Sequence, residues 1–401
     1  MKDILIVDSK MGSGKTSWII NKIKNSDPDE KYIYVTPYID ECERIGREIP
    51  EKHFIEISKE KGIKLEALKK YLVDGKNIAT THALFQRFDS EVLALLSANN
   101  YNLVIDEENT VIEQVELSPK DLQMLFDTEM LEVFEDGHVE WTDEDYTGKF
   151  KEIKQACSMG NVFFFNGCLL LWLFPVTIFN AMKSVTILTY RFAGSYERAY
   201  FDLNGVSYTY KSVRKIGGEF TLVDYVKKEE NIEELKKLVN IYEGDLNSIG
   251  EKRTALSYTQ YEKWRKQSSP LQAKLKNNLY NYFRNVRKAS SKEILWTCPK
   301  DSREKLKGKG YAGSYLSFNA RATNKYRFRN TLAYCNNLFV QPQIKSFFRK
   351  NGIEINEEEY ALASLLQWLW RSAIREGKPV NIYIPSSRMR GLLKDYLEGD
   401  I

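Results

Sequence analysis

The sequence is poor in histidine and cysteine. Its 401 residues include three histidines and five cysteines, Cys42, Cys157, Cys168, Cys298 and Cys335. No cysteine is paired with another cysteine or a histidine at the spacing of zinc ligands, so we do not predict a structural metal site. Scattered thiols without a partner are typical of proteins in a reducing cytoplasm.

The sequence also lacks a signal peptide and a clear membrane span. The first ten residues lead directly into an apolar strand, so we predict a cytoplasmic location. The apolar segment 162–179 is long enough to raise the question of a membrane helix, but Asn166, Gly167 and Pro175 interrupt it. We therefore predict a buried helix pair in this segment.

Near-continuous apolar strands alternate with helical patterns along the chain. They are "ILIVDS", "KYIYVTP", "NIATT", "YNLVIDE" and "SVTILTY" in the first half, and "FTLVDY", "RTALSYT", "EILWTCP", "NTLAYC" and "VNIYIPS" in the second. This alternation predicts the α/β class, with mainly parallel sheets covered on both faces. The length requires more than one domain, and we place domains at residues 1–210 and 211–401.

A phosphate-binding loop follows the first strand. Residues 9–16 read "SKMGSGKT" and precede an amphipathic helix. Two glycines let the backbone turn its N–H groups toward a phosphate, and a helix N-terminus adds a favourable dipole. Lys15 is placed for the β- and γ-phosphates, and the Thr16 hydroxyl for Mg²⁺. The predicted nucleotide-binding residues here are Gly12, Ser13, Gly14, Lys15, Thr16 and Ser17.

Two acids end a later buried strand, in "NLVIDEEN". A carboxylate at the position of Asp106 can reach a magnesium ion through water. Its neighbour Glu107 can orient or deprotonate an attacking water. Together with Lys15, these residues predict binding and hydrolysis of a nucleoside triphosphate with Mg²⁺.

A long helix is predicted over residues 357–377, and it carries a polar stripe. Gln367, Arg371 and Arg375 are spaced at i, i+4 and i+8 and would share one helix face. Two arginines on such a face can stabilise charge that develops on a transferred phosphoryl group. The alternative is an ordinary solvated basic stripe.

Seven segments occur in the order of the motifs of superfamily 2 helicases. They are "SKMGSGKT", "YVTPYIDECERI", "IATTHALF", "VIDEEN", "ILTYRF", "ALSYTQY" and "QWLWRSAIR", in the places of motifs I, Ia, Ib, II, III, IV and VI. The chain thus resembles DEAD/DEAH-box-like helicases, and most of all small phage-encoded members. Two positions differ from the family pattern: motif I begins with Ser9, and motif II reads Asp-Glu-Glu-Asn.

The resemblance implies two tandem RecA-like domains with ATP in a cleft between them and nucleic acid across both. In this arrangement Thr36, Pro37, Thr81 and His82 would contact the nucleic-acid backbone. Thr189 and Tyr190 would couple ATP hydrolysis to strand binding. Gln367 would contact the nucleotide, and Arg371 and Arg375 would act in catalysis.

A basic and aromatic stretch lies where motif V would be expected. Residues 317–330 read "SFNARATNKYRFRN". Basic side chains in such a stretch can contact phosphates while the aromatic rings stack on nucleobases, so the stretch predicts single-strand binding. The predicted contact residues are Arg321, Asn324, Lys325, Tyr326 and Arg327. The alternative is a solvated loop with core aromatics.

These patterns together predict an ATP-dependent DNA helicase or translocase of superfamily 2. We expect a monomer that acts on single-stranded or forked DNA, or on RNA, with possible replication-protein partners and no membrane. Its expected setting is phage DNA replication or recombination in the host cytoplasm. One alternative is a terminase-like packaging ATPase, which three acid-free strands of the second half, "TALSYT", "ILWTCP" and "TLAYC", disfavour. Another is an ATP-switched nucleic-acid-binding accessory protein without unwinding activity.

Overall fold

The computed structural model describes residues 3–227, 232–267, 269–320 and 325–401. The chain forms two compact units. The first comprises Met1–Tyr225 and Gln341–Ile355, and the second Val226–Val340 and Asn356–Ile401. The predicted division at residues 210 and 211 differs from these units, because it falls within a strand and leaves out the later segment that returns to the first unit.

The strands and helices are labelled in chain order. The strands are β1 (Ile4–Asp8), β2 (Tyr32–Thr36), β3 (Ile55–Glu56), β4 (Ile78–Thr81), β5 (Asn102–Asp106), β6 (Ile112–Gln114), β7 (Leu131–Val133), β8 (Val139–Trp141), β9 (Val162–Phe165), β10 (Leu169–Leu173), β11 (Ser184–Thr189), β12 (Tyr208–Ile216), β13 (Glu219–Asp224), β14 (Val239–Ile241), β15 (Ile294–Thr297), β16 (Thr331–Tyr334) and β17 (Val380–Tyr383). The helices are α1 (Lys15–Lys24), α2 (Ile39–Glu48), α3 (Lys64–Val73), α4 (His82–Phe85), α5 (Ser90–Asn99), α6 (Pro119–Asp127), α7 (Lys151–Ser158), α8 (Val176–Ala181), α9 (Tyr196–Leu203), α10 (Ile232–Leu238), α11 (Tyr258–Lys266), α12 (Pro270–Asn281), α13 (Arg303–Leu306), α14 (Pro342–Lys350), α15 (Glu357–Leu369) and α16 (Ser387–Glu398).

The first unit is built on an eight-stranded sheet with the order β13-β12-β1-β11-β5-β2-β4-β3. Every neighbouring pair is parallel except β12 and β13, which are antiparallel. The central strands are almost wholly buried, which explains their continuous apolar sequences. The prediction of a mainly parallel α/β fold is confirmed. The segment "FTLVDY" is a strand as predicted, but it forms the edge of this first sheet.

The register of the sheet brings the predicted motifs to one edge. Asp8 at the end of β1 is aligned with Thr189 at the end of β11, and Leu188 with Asp106 at the end of β5. Thr36 and Thr81 are aligned in the same way at the ends of β2 and β4. Parallel strands end at the same edge of their sheet, so residues far apart in sequence lie close together here.

A middle part of the first unit was not recognised in the sequence. It consists of a three-stranded sheet with the order β6-β10-β9 and the antiparallel pair β7-β8, together with α6 and α7. The predicted buried helix pair at residues 162–179 is wrong, because most of this segment forms the hairpin β9-β10. Asn166 and Gly167, with φ of 54° and 70°, form its turn, as the Asn-Gly pair favours.

Helix α14 belongs to the first unit although it comes late in the chain. The Phe347 ring lies 5.5 Å from that of Phe165, and the Lys350 ammonium donates to the Asn166 side chain at 2.6 Å. The Gln341 side chain also donates to Gln114 on β6, at 3.1 Å. The helix thus packs on the hairpin of the middle part.

The second unit contains a four-stranded parallel sheet with the order β14-β17-β16-β15. Its core is rich in aromatic side chains, among them the fully buried Trp296, Tyr282 and Tyr383. The strands predicted at "EILWTCP", "NTLAYC" and "VNIYIPS" are present. The segment "RTALSYT" is not a strand, apart from an isolated bridge at Ser257.

The predicted helix over residues 357–377 is shorter than expected. Helix α15 ends at Leu369, and the chain turns at Trp370 and Arg371. Ser372 then caps a short 3₁₀ turn over Ala373–Glu376, where its side chain accepts a hydrogen bond from the Ile374 N–H. Gln367, Arg371 and Arg375 therefore do not share one face of a continuous helix.

Candidate nucleotide site

The loop between β1 and α1 has the backbone that anion binding requires. Gly12 and Gly14 have φ of 81° and 93°, in the left-handed region that favours glycine. Gly14 precedes the first helical residue, Lys15, and no side chain caps the helix N-terminus. No acid lies in the first turn of α1, so its N–H groups and dipole are suited to a phosphate.

A second reason for glycine at position 14 is steric. A Cβ atom added there would lie 2.1 Å from Cε1 of Phe220, which is far inside van der Waals contact. Phe220 belongs to β13, and its ring packs against the core cluster that includes Trp18 and Ile19 of α1. The edge hairpin β12-β13 thus holds the loop from one side.

The unusual first residue of the loop, Ser9, has a structural role. Its hydroxyl accepts a hydrogen bond from the Val213 N–H of β12 at 2.8 Å, and its own N–H donates to the Thr189 carbonyl at 3.1 Å. Ser9 is buried. A glycine could not satisfy the N–H of Val213, so the departure from the usual pattern is explained by the neighbouring strand.

Lys15 is the first residue of α1, and its side chain reaches back into the loop. Its ammonium donates to the backbone carbonyl of Ser9 and, at 3.1 Å, to that of Lys10. The two carbonyls hold the positive charge at the centre of the loop. Ser13 is half-buried, with its hydroxyl oxygen enclosed and without a hydrogen bond to a described residue, and Ser17 is exposed on α1.

The phosphate loop and the acidic strand meet at one contact. The Thr16 hydroxyl donates to Oδ2 of Asp106 at 3.3 Å, although the residues are 90 positions apart. The hydroxyl of the fully buried Tyr34 donates to the same oxygen at 3.1 Å. A hydroxyl and a carboxylate are hard oxygen donors of the kind that Mg²⁺ prefers, so these two residues fit this ion.

Burial raises the pKa of Asp106 to about 6, and the neighbouring carboxylate of Glu107 contributes to the rise. The positive charge of Lys15 and the hydrogen bond from Tyr34 oppose it. The carboxyl group therefore titrates close to neutrality, which is typical of functional sites.

Glu107 has a strained backbone. Its φ is 64°, in a region that costs an ordinary residue about 1–3 kcal/mol. Its N–H donates to the Leu188 carbonyl at 2.9 Å, which holds this conformation. Backbone strain of this kind is common at catalytic positions, and here it lies next to Asp106, whose oxygens could bind Mg²⁺.

The two residues after Glu107 connect the site to its surroundings. The Thr189 hydroxyl donates to Oε1 of Glu108 at 3.2 Å, which joins the loop after β5 to the end of β11. The buried Asn109 contacts Gln86 instead, whose amide donates to it at 3.4 Å. The side-chain link between the loop after β5 and the end of β11 therefore runs through Glu108, beside the backbone bond from Glu107 to Leu188.

The residues predicted to contact nucleic acid in the first unit differ in exposure. His82 is buried, and its Nε2 lies 2.9 Å from the Asp106 carbonyl oxygen. Thr36 is fully buried, whereas Pro37 and Thr81 are partly exposed. His82 thus contacts the end of β5. The nucleic-acid roles of Thr36, Pro37, Thr81 and His82 stay predictions.

The predicted residues of the second unit are spread over two segments. Arg371 is buried and Arg375 is exposed, and Gln367 lies in the last turns of α15. Lys325, Tyr326 and Arg327 lie in a turn whose basic side chains are exposed. The predicted residues Arg321 and Asn324 lie outside the described residues.

Comparison with known proteins identifies the family. A model described as the YonV C-terminal Rossmann-like domain matches residues 233–397, and one described as the YonV middle domain matches residues 112–172. The chain is 40% identical over 412 residues to the SPbeta prophage-derived uncharacterized protein YonV of Bacillus subtilis (strain 168), covering 99% of each chain. The chain belongs to the YonV family.

Solved structures similar to this YonV-family chain include a helicase. A structure of Xpd4 from S. tokodaii is 12% identical, with a TM-score of 0.46, over 98% of this chain and 94% of that one. A crystal structure of the helicase MrfA bound to DNA and AMPPNP is also 12% identical, with a TM-score of 0.38, over 99% of this chain. The YonV-family chain spans 48% of the length of MrfA.

Two residues of the YonV-family site were missed in the sequence. Tyr34 was not singled out, although a tyrosine inside a buried strand needs a partner for its hydroxyl. Asp8 ends β1 and is buried, and its carboxylate accepts hydrogen bonds from the N–H groups of Arg191 and Phe192 at 2.8 and 2.9 Å. Burial raises the pKa of Asp8, and these two hydrogen bonds lower it.

In the described part of the chain, no helix is both long and apolar enough to cross a membrane.

Proposed function

We propose that this YonV-family protein is a nucleic-acid-stimulated ATPase that acts as a DNA helicase or translocase of superfamily 2. The observation that carries the proposal is the contact between Thr16 and Asp106, at 3.3 Å. It joins a glycine-rich loop with a lysine to a carboxylate strand, which is the arrangement that triphosphate hydrolysis requires.

The loop would bind the phosphates of ATP. The N–H groups at the start of α1 and the left-handed glycines provide donors for the oxygens. Lys15 would exchange its contacts with the Ser9 and Lys10 carbonyls for the β- and γ-phosphates. This exchange replaces neutral acceptors by charged ones, which favours binding.

Thr16 and Asp106 would hold Mg²⁺, which would neutralise charge on the phosphates when bound. Asp106 must be ionised for this role, and its pKa of about 6 makes binding dependent on pH. Tyr34 supports the charged form through its hydrogen bond.

Glu107 would orient the attacking water and accept its proton. Its strained backbone is maintained by the bond to Leu188, so the carboxylate position is set by the sheet. Glu108 and Thr189 would pass changes at this site to β11 through their hydrogen bond. Motif III has this role in the helicases that the sequence resembles.

DNA is the proposed nucleic acid, and phage replication or recombination the proposed setting. The Bacillus relative is described as prophage-derived, which supports a phage origin for this chain as well. The exposed basic residues Lys325 and Arg327 support contact with a phosphate backbone. Gln367, Arg371 and Arg375 are retained as proposed nucleotide and catalytic residues.

The test is the rate of ATP hydrolysis with single-stranded DNA, duplex DNA and RNA, measured side by side. We expect stimulation by single-stranded DNA and its loss in Lys15→Ala. Lys10→Ala is the matched control, because only the backbone of Lys10 contacts the site. If Lys15→Ala hydrolyses ATP at the rate of the control, the proposed site is wrong. Hydrolysis that no nucleic acid changes would favour the ATP-switched accessory protein.

A further inference from the structure

A cavity of about 550 Å³ lies within the first unit, and none of the proposed nucleotide or magnesium ligands lines it. It is enclosed by the middle part on one side and by Gln86, Arg87 and Phe88 after α4 on the other. Its size is in the range of cavities that bind small molecules, about 300–1,000 Å³.

The walls of the cavity are partly apolar. Phe150, Ile153 and Met159 come from α7 and its ends, and Trp172 from β10. Phe150 is buried and Trp172 is partly exposed. A ligand with an apolar body could therefore displace water from the indole ring and from the α7 side chains.

Four carboxylates line the same space; Asp121 is paired with Lys149, and the other three are the exposed Glu113, Glu116 and Glu152. In the described part of the chain, no ion pair or side-chain hydrogen bond involves any of these three. Partial desolvation raises the pKa of Glu113, although the residue is exposed, and the nearby Glu116 raises it further. The basic side chains of the cavity do not balance these acids, because Lys149 is paired with Asp121 and leaves only Arg87.

The sheet places one of these acids beside the tryptophan. Glu113 on β6 is directly opposite Trp172 on β10, so both side chains lie on the same face of the sheet. An aromatic face next to a carboxylate is a favourable environment for a cation, because ring and acid both attract positive charge.

An amide without a hydrogen-bond partner also lines the cavity. Asn161 is only 7% exposed as a whole residue. Its side chain makes no hydrogen bond to any described residue, and its polar atoms are not fully enclosed, so a ligand can reach them. A ligand that donates or accepts a hydrogen bond at this position would satisfy it.

We propose that this cavity binds an organic cation with an apolar body, of the amidinium, guanidinium or ammonium class. The apolar part would lie against Trp172 and Phe150. The charged group would lie among Glu113, Glu116 and Glu152, with Asn161 as an additional polar contact.

The test is isothermal titration of the full-length protein with benzamidine and with benzamide, in the absence of nucleotide. The two compounds have nearly the same shape, but only benzamidine is charged. We expect benzamidine to bind at least about tenfold more tightly. Equal binding of both, or no binding of benzamidine, would overturn the proposal.

Variants locate the site. Glu113→Gln and Glu152→Gln should each weaken benzamidine binding by about tenfold, whereas Glu140→Gln on β8, exposed and outside the cavity, should leave it unchanged. Thermal unfolding of each variant shows whether it is folded. Benzamidine binding that both cavity variants leave unchanged would overturn the proposal. Because no nucleotide is present, this result is independent of the proposed ATPase activity.

Discussion

Removal of the Tyr34 hydroxyl should shift the pH dependence of ATP hydrolysis. Tyr34→Phe removes the hydroxyl that donates to Oδ2 of Asp106 and keeps the aromatic ring. That bond stabilises the ionised carboxylate, so its loss must raise the pKa of Asp106 above its value of about 6. The proposed magnesium ligand would then be protonated at neutral pH.

The size of the shift follows from the strength of the bond. A hydrogen bond to a charged group contributes about 1.5–3 kcal/mol, and about 1.4 kcal/mol corresponds to one pKa unit. The pKa of Asp106 should therefore rise by about one to two units. The acid limb of kcat/KM for ATP, which reports ionisations of the free enzyme, should move upward by the same amount. Activity at pH 7 should fall, and activity at pH 9 should approach that of the unchanged protein.

The control is Tyr32→Phe, which makes the same change on the same buried strand without touching Asp106. Its pH profile should match that of the unchanged protein. If the acid limb of Tyr34→Phe moved by less than about 0.3 units, Asp106 would not be the group that limits activity at low pH. A lower rate at every pH, with no shift of the limb, would contradict the reasoning in the same way.

Three other changes test neighbouring features of the site. Glu107→Gly relieves the strain of a φ of 64°, so the free energy of unfolding measured in urea should rise by about 0.5–1 kcal/mol. The same change removes the proposed base, so turnover should fall about 100-fold or more. Unchanged turnover would exclude Glu107 as the base. Asp106→Asn should stabilise the protein by about 1–2 kcal/mol at pH 8, because the raised pKa means that the ionised carboxylate destabilises the folded state. Thermal unfolding should show that this gain in stability shrinks as the pH falls through 6 toward 4. Thr189→Val removes the hydrogen bond to Glu108 and should reduce stimulation by single-stranded DNA about fivefold with nearly unchanged basal hydrolysis; equal losses in both rates would show that the contact is structural.

Much of the first unit could be predicted because its signals are local. The strand, loop and helix around Lys15 follow one another within twenty-one residues of sequence, and each has its own pattern of apolar or glycine residues. The carboxyl end of β5 was identified in the same way, from a buried strand that ends in acids. The magnesium roles predicted for Thr16 and Asp106 require the two residues to meet, and parallel topology brings strand ends to one edge.

Other features could not be predicted, because they depend on partners distant in sequence. Residues 162–179 are apolar enough for helix or strand, and pairing of β10 with β6 decided in favour of a hairpin. The end of α15 at Leu369 interrupts a helical pattern, since Ser372 caps a new turn there. Helix α14 has the pattern of any amphipathic helix, and its contacts with the hairpin β9-β10 and with β6 assign it to the first unit.

The sequence by itself determined the α/β class, the glycine-rich loop and the acidic strand, because these follow from periodicity and from the conformations that single residues permit. Only the tertiary structure decided the surroundings of Asp106: the hydroxyl of Tyr34, the support of His82 and the burial that brings its pKa to about 6. The physical reason is that burial and hydrogen bonding act through space. A linear pattern shows that a strand is apolar, but it does not show which polar group will lie beside the carboxylate at its end.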